Sequence, residues 1–491
     1  MSDHASVTRG TQAAGDRRRR RLFWRSLVLV IALGCAGVAL STLSRGARPP
    51  NVVLIVVDTL RADKLGVYGN GRGLTPFLDE LAQRGTVFLN TYAASSWTCP
   101  SVASIMTSRY PAQHRVTGFG SRLAAEEVTL AEAVHPLGYV GGGFSANFRL
   151  LERLGYAQGF AFWRSDVRMP GGLSGTELNR QALGWLHGAW QPSSSRPLLL
   201  FLQYMEPHGP YDPPEPFRSV FAPEMNGATD RIHQLQLRML AGNWEDLTRT
   251  DFHVFEDLYD GEVATVDAEI RSLFAELGRR GVLDNAIVIV TADHGEEFWE
   301  HGGLTHGRTL FNESVKVPLI IIAPGHAPGQ RVSENVSLID VAPTLLELLG
   351  LPPEPRFEGR SLVPFLRGRS VPDGSGHGLH AAPAFEPGRD ILLQLEPTGL
   401  KIDGRVHAEG LVHRSLKLLV RPEGEGDTYD LAADPGELQP NTLTVAGQSI
   451  ALLRALETSK SALDRRASPV AAGEELSEAT LEKLRALGYH F

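Results

Sequence analysis

Five residues able to hold a metal or move a proton sit at the ends of apolar runs. Asp58 closes NVVLIVV (residues 51–57), Glu206 and His208 follow PLLLFLQYM (197–205), and Asp293 with His294 follow AIVIVTA (286–292). In a parallel sheet, ligands bind beyond the carboxyl ends of the strands, so these residues are expected to meet at one site. Asp58, Asp293 and His294, with the Thr98 oxygen, make a compact set of two carboxylates, an imidazole and a hydroxyl, suited to one divalent ion. Mg²⁺, Mn²⁺ or Zn²⁺ fits such a set better than Ca²⁺, which wants a larger oxygen cage. Convergence of Glu206, His208 and His306 would add a second metal position. The nucleophile candidate is Thr98 in SSWTCPSVASIMTSRYP (95–111), where Pro100 suits the first turn of a helix. A hydroxyl there faces unpaired N–H groups and the positive end of the helix dipole, which favour an alkoxide and a bound oxyanion. Taken alone, Thr98 reads equally as a helix cap. A metal, an oxygen nucleophile and a proton donor are what ester cleavage at phosphorus or sulfur requires.

The elements that must position these residues alternate. Each apolar run reads as a strand buried on both faces. Between the runs lie helical patterns: TPFLDELAQRG (75–85), with Thr75 able to cap and Pro76 in the first turn, TLAEAVHPLG (129–138), ELNRQALGWLHGAW (177–190) and a long amphipathic stretch over 252–281. YVGGGF (139–144) and VPLIIIAP (317–324) are further strands. The fold class is therefore α/β, with a mostly parallel sheet covered on both faces, spanning a catalytic domain over 50–365. After about Gly359 the alternation stops. A Gly/Pro-rich stretch (364–388) leads into ILLQLE, SLKLLV and DTYDL, then helices near 449–464 and 475–487. These form a small C-terminal α+β subdomain over 376–491, which either walls one side of the site or simply closes the fold.

With 491 residues, 42% apolar and 21% charged, the composition is that of a globular enzyme-sized chain. A formal charge of −8 excludes the basic footprint that nucleic acid demands. Two cysteines, Cys35 and Cys99, exclude a disulfide framework. Five arginines, Arg17 to Arg21, precede the apolar stretch LVLVIALGCAGVALSTL (27–43). The expectation is a basic cytoplasmic N-terminus over 1–26, a transmembrane helix over 27–43, and a catalytic domain exported to the periplasmic or extracellular side. RRLFWR (20–25) loosely resembles a twin-arginine export signal. A cleaved signal peptide and lipidation at Cys35 are the competing readings.

NVVLIVVDTLRADKLGVYG, SWTCPSVASIMTSRYP, YMEPHGPYDPP, TADHGEEFWEHGGLTHG and VPLIIIAPG, in this order, resemble the sulfatase family of the alkaline phosphatase superfamily. The closing segments TYDLAADPGELQPN and LEKLRALGYHF are similar to that family's too. The resemblance implies an alkaline-phosphatase-like α/β/α sandwich, a metal-activated nucleophile, a covalent intermediate and an anionic sulfate- or phosphate-ester substrate. Asp58, Asp293 and His294 match the metal ligands, Thr98 the nucleophile position, and His208 and His306 positions that contact substrate or protonate the leaving group. Three departures stand out. The family oxidises a motif cysteine to formylglycine; here Thr98 occupies that place, Cys99 directly precedes Pro100, and Val102 replaces the motif arginine, so formylglycine is not expected. Thr59 stands where sulfatases usually carry another metal-binding aspartate. GFSAN (143–147) replaces a sulfate-gripping segment, with Asn147 expected to take part of that role. Glu297 and His301 are expected beside the site, His301 as a substrate contact or as a residue orienting the ligands. A threonine ester cannot expel its group by reopening a carbonyl, so water or an acceptor alcohol must release it. Phosphate chemistry is therefore as admissible as sulfate chemistry. The readings are a hydrolase, a transferase moving a phospho-headgroup onto envelope lipid or glycan, and an inactive binding protein. Retention of so many charged side chains speaks against the last.

Overall fold

A computed structural model describes residues 48–118, 120–165, 173–194, 196–240, 244–367, 389–395, 407–442 and 446–471. The expected transmembrane segment and the helix expected over 475–487 lie outside them. Among the described residues no helix is long and apolar enough to cross a membrane.

The apolar runs become strands for the reason their composition gives. β1 (Asn51–Val57), β5 (Leu198–Tyr204) and β6 (Ala286–Ala292) are buried along their whole length. With β2 (Thr86–Tyr92), β3 (Val140–Ser145), β4 (Phe162–Ser165), β9 (Lys316–Val317), β10 (Leu319–Ile322) and β11 (Gln330–Ser337), they form a nine-stranded sheet, ordered β11-β2-β10-β6-β1-β5-β3-β4 with β9 paired to β2. β6, β1, β5, β3 and β4 are mutually parallel neighbours. The sheet is mixed rather than simply parallel, because β10 runs antiparallel to both β6 and β2. Only a one-turn helix, Asn312–Val315, lies in the connection from β6 to β10. A parallel return is usually carried by a crossover helix laid across the sheet, and this connection holds none of that length.

Helices cover the sheet: α1 (Pro76–Ala82), α2 (Thr98–Thr107), α3 (Gly175–Ala189) and the 31-residue α4 (Arg249–Arg279). The segment 129–138 forms only a one-turn α-helix and a 3₁₀ turn. α4 opens with Thr248 accepting from the Asp251 N–H while the Asp251 carboxylate accepts from Thr248 N–H. In β3, Gly142 and Gly143 leave room for Trp185 and Trp163, which a Cβ would meet at 2.4 and 2.1 Å. The C-terminal strands β12 (Asp390–Gln394), β13 (Glu409–His413), β14 (Leu416–Val420), β15 (Gly426–Asp430) and β16 (Asn441–Thr442) form an antiparallel sheet. α5 (Ala446–Asp464) packs on it through Leu452, Leu456 and Leu463 against Leu411 and Leu418.

One expectation fails instructively. Thr75 makes no capping bond; its hydroxyl accepts from Gly66 N–H instead. The cap comes from α4, where Asp267 accepts from Phe77 N–H at 3.0 Å and Leu78 N–H at 2.8 Å. A carboxylate at a helix N-terminus satisfies orphan donors and complements the dipole. Replacing Asp267 with alanine strands two buried N–H groups and is expected to cost about 1–3 kcal/mol. Thermal unfolding should show a lowered midpoint for Asp267→Ala and a smaller loss for Asp267→Asn; an unchanged alanine variant would contradict the cap.

Candidate active site

Because β6, β1, β5 and β3 are adjacent and parallel, their carboxyl ends lie along one edge. Asp58, Asp293, His294 and Asn147 all leave from it. β2 points the same way, being antiparallel to β10 as β6 is, and six residues beyond its end it delivers Thr98. Thr98 is the first residue of α2, after an extended Trp97 that makes no side-chain cap. Its hydroxyl therefore lies at the start of the helix without capping it.

The expected cluster forms. Thr98 Oγ1 lies 3.2 Å from His294 Nε2, and His294 Nε2 lies 3.6 Å from both Asp58 Oδ1 and Asp293 Oδ2. One ligand atom from each of Asp58, Asp293 and His294 falls within 4.8 Å of the others. All four side chains are buried. Asp58 Oδ2 accepts from Asn147 Nδ2 at 2.7 Å and Gln203 Nε2 at 3.3 Å. Asp293 Oδ1 accepts from His294 N–H at 2.9 Å and Thr59 N–H at 3.3 Å. Ser101 Oγ donates to the Asp293 carbonyl at 2.5 Å, tying α2 to the end of β6.

These residues fit a divalent cation. His294 Nδ1 lies 2.9 Å from the Gly295 carbonyl, which can only accept, so Nδ1 carries the proton and Nε2 turns its lone pair toward the acids. Asp58 Oδ1 is buried and has no hydrogen-bond partner. Lone pairs facing lone pairs in a dry site call for a positive charge between them. Burial, and then the Asp293 charge, push the Asp58 carboxyl well above its usual range. Burial pushes Asp293 up to about 7, against the hydrogen bonds it accepts, one from Thr98 among them.

A second layer holds the histidines. The His306 ring lies 4.5 Å from that of His294 and 4.9 Å from that of His208, centroid to centroid. His306 Nδ1 is 2.8 Å from Glu296 Oε1, and Tyr211 OH donates to Glu296 Oε2 at 2.9 Å. Burial raises the Glu296 carboxyl and drives His306 well below its usual range. Burial, then the neighbouring His306, take His208 down to about 3, and its Nδ1 sits 2.5 Å from the Gly209 carbonyl. Both imidazoles are therefore neutral.

Other candidates go elsewhere. Asn147, expected to grip substrate, spends its amide on Asp58. Glu206 does not join the two histidines as a ligand set: it accepts from Gly175 N–H at the start of α3 and stands near Glu262, whose carboxyl burial raises to about 8. His301 sits with both ring nitrogens engaged, Nδ1 2.6 Å from Glu313 Oε1 and Nε2 3.1 Å from the Glu437 carbonyl, and its ring stacks on Phe311 at 3.5 Å. Although burial opposes it, Glu313 raises His301 above its usual range, and the two contacts brace the loop that carries the ring. Two residues escaped the sequence reading. Gln203 bridges Asp58 and Asp293 Oδ2, at 3.3 and 3.4 Å, and its only signal was a polar letter inside an apolar strand. Arg149 is 7% exposed, its guanidinium 5.6 Å from the Trp97 ring beside Thr98, and its charge bears on both Cys99 and His306.

The family model "Sulfatase" matches residues 50–351, more than half of the chain. Choline-sulfatase of Rhizobium meliloti (strain 1021) is 28% identical over 373 residues, covering 65% of this chain and 72% of the relative. Human arylsulfatase A is 29% identical over 470 residues, covering 88% and 89%. The crystal structure of phosphonate monoester hydrolase of Agrobacterium radiobacter superposes with a TM-score of 0.67 at 23% identity, over 88% of this chain and 99% of that one, and so shares the fold.

The raised acids give a signed expectation for pH. In the metal-free protein the folded-state pKa values of Asp58 and Asp293 lie above the unfolded value of about 3.9, so stability is lost as pH rises from about 4 through 7. A cation that needs both carboxylates ionised restores it and competes with protons below about pH 7. Thermal melts with and without a divalent ion should show a larger gain at pH 8 than at pH 5. Equal gains would dissociate the ion from these acids.

Proposed function

This chain belongs to the sulfatase family and is a sulfatase-like enzyme, and from that premise we propose that it cleaves sulfate or phosphate esters through a covalent Thr98 intermediate. The observation that carries this is the 3.2 Å approach of Thr98 Oγ1 to His294 Nε2 at the mouth of α2. Asp58, Asp293 and His294 would hold one divalent ion, Mg²⁺, Mn²⁺, Zn²⁺ or Ca²⁺, which when bound neutralises the ester's charge and acidifies the Thr98 hydroxyl.

The chain's own groups do the rest. Thr98, its hydroxyl proton passed to solvent, attacks sulfur or phosphorus in line through Oγ1 as the bond to the leaving oxygen breaks. The backbone N–H groups of Thr98 and Cys99 are the donors at the helix start for the charge that builds on the ester oxygens. Asn147 and Gln203 fix Asp58 in the orientation that leaves its Oδ1 turned to His294. His306 is the acid for the leaving oxygen. With Glu296 raised and His306 lowered, the proton between them rests on Glu296 and the ring carries its own on Nε2. Giving up the Nε2 proton lets Nδ1 recover one from Glu296, which Tyr211 keeps in place. Water, or an acceptor alcohol, then releases the group from Thr98, since the threonine ester has no carbonyl to reopen. The arginine run and the apolar stretch over 27–43 support a tethered catalytic unit on the exported side of a membrane.

Turnover of aryl sulfate, phosphate monoester, phosphate diester and phosphonate monoester by metal-analysed protein separates the substrate classes. Thr98→Ala should lose activity by about three orders of magnitude or more at unchanged metal content, and Thr98→Ser should recover part of it. An alanine variant that keeps its rate on every ester would sink the intermediate. His306→Gln should slow an alkyl ester about 10²–10⁴-fold but a 4-nitrophenyl ester far less, because only the poor leaving group needs the proton. Equal losses on both esters would remove His306 from that role.

A further inference from the structure

Trp299 has a conformation that its neighbours do not demand. Its φ is +78°, in the left-handed region that a bulky side chain adopts only under constraint. The residue is the first beyond β7 (Glu297–Phe298), whose partner β8 (Leu304–Thr305) pairs Glu297 with Thr305 and Phe298 with Leu304. The turn is pinned by Trp299 N–H donating to the Gly303 carbonyl at 2.7 Å. A glycine would take this φ without strain, yet the position carries the largest side chain there is. One face of the indole stacks on Phe252 in the first turn of α4, 4.4 Å between centroids and 10° between planes, while 38% of the residue stays exposed. Phe252 itself is 7% exposed, so the indole rests on a rigid backing.

The hairpin ties this ring to the chemistry. Thr305 is followed at once by His306, so the short stem puts the Trp299 backbone on the order of 10 Å from that of His306. Phe298, between Glu297 and Trp299, packs on Tyr211 at 5.6 Å, and Tyr211 holds Glu296, the partner of His306.

We propose that Trp299 is a platform for the leaving group: its indole, backed by Phe252, stacks on a flat ring carried by the ester oxygen. The substrate class is accordingly an ester of a ring-bearing alcohol, aryl or pyranose, rather than of a short alkyl alcohol. This rests on the proposed function only for the identity of the reacting centre. Stacking on an aromatic surface is sequence- and polarity-tolerant, which accommodates either ring.

The test compares wild type with Trp299→Gly and Trp299→Phe. Glycine removes the ring and relieves the left-handed strain together, so a packing role and a platform role give different results. With 2-naphthyl and methyl esters of the acid that the wild type cleaves, glycine is expected to raise KM for the naphthyl ester about tenfold or more, leave the methyl ester within about twofold, and keep the thermal midpoint; phenylalanine should restore most of the naphthyl KM. In parallel, calorimetric binding of 2-naphthalenesulfonate and methanesulfonate to the same proteins reads the platform without turnover. Should no ester be cleaved, the proposed function fails while a selective loss of naphthalenesulfonate affinity still upholds the platform. A glucopyranose 6-ester that responds like the naphthyl ester assigns the sugar ring as well; one that responds like the methyl ester restricts the platform to aryl groups. Equal changes for naphthyl and methyl ligands, or a lower thermal midpoint with no change in either, would overturn the proposal.

Discussion

Two carboxylates buried around a single imidazole are the constraint around which this molecule is arranged. Asp58 and Asp293 gain their few hydrogen bonds from amides and backbone N–H groups, and Asp58 Oδ1 is left with none. Buried charge of one sign is expensive, and the protein moderates it through pKa instead of through a basic partner. The nearby cations are committed elsewhere: Arg61 to Asp63 and Glu300, Lys64 to Glu256 and Asp260. Unspent negative charge beside the Thr98 hydroxyl, which itself bonds to Asp293, is what a divalent ion held between them would offset.

Holding that arrangement requires more than the sheet. The segment between Gly295 and Val315 carries Glu296, the hairpin and His306, and it is fastened from several sides. Gly295 and Glu296 donate to the Ser314 and Glu313 carbonyls, an approach so close that a Cβ on Gly295 would fall 1.9 Å from Glu313 O. Glu297 accepts from Gly303 N–H at 2.8 Å. The C-terminal sheet supplies the rest. His407 donates its N–H to the Arg308 carbonyl, the Glu437 carboxylate accepts from Asn312 N–H, and Lys417 pairs with Glu437 at 2.8 Å, both side chains fully buried. A buried ion pair adds little net stability, but it tolerates few geometries, and fixing a loop is what it does well here. The C-terminal sheet thus braces the loop that carries His306.

How far the sequence discloses all this depends on the range of the interaction. Strand identity is local: seven consecutive apolar letters in NVVLIVV or AIVIVTA can be buried on both faces, and Asp58, Asp293 and His294 then inherit their place from the parallel edge. The same logic placed Thr98 at a helix start. Reversal of β10 was hidden because an apolar strand carries no sign of its direction; only the absence of a crossover helix does. The cap on α1 was hidden because its acceptor lies in another helix, 189 residues on. Gln203 and Arg149 were passed over because single polar letters are uninformative until a neighbouring strand or ring gives them a partner. His301 has partners that its sequence neighbourhood does not disclose. A histidine close in sequence to the site looked available, and the carboxylate and carbonyl that occupy its nitrogens come from segments 12 and 136 residues away.

The costs cluster where the chemistry does. Thr59, directly after Asp58, has φ +56°, and Thr305, directly before His306, has φ +68°. A β-branched residue in the left-handed region costs on the order of 1–3 kcal/mol, and each sits beside a residue whose direction matters. Thr59 is held by its N–H to Asp293 and by Tyr259 OH, which donates to its carbonyl at 2.7 Å, so the strain turns Asp58 without freeing it. The strands behind them are plain by contrast, with β1 wholly apolar after Asn51 and buried from end to end. Stability is generated in the sheet, where hydrophobic burial is regular, and expended at its carboxyl edge, where acids face each other and the backbone is bent against its preference. That separation explains why a threonine can stand at position 98 without disturbing the fold: the helix start and the surrounding Asp58, Asp293 and His294 are set by the strands.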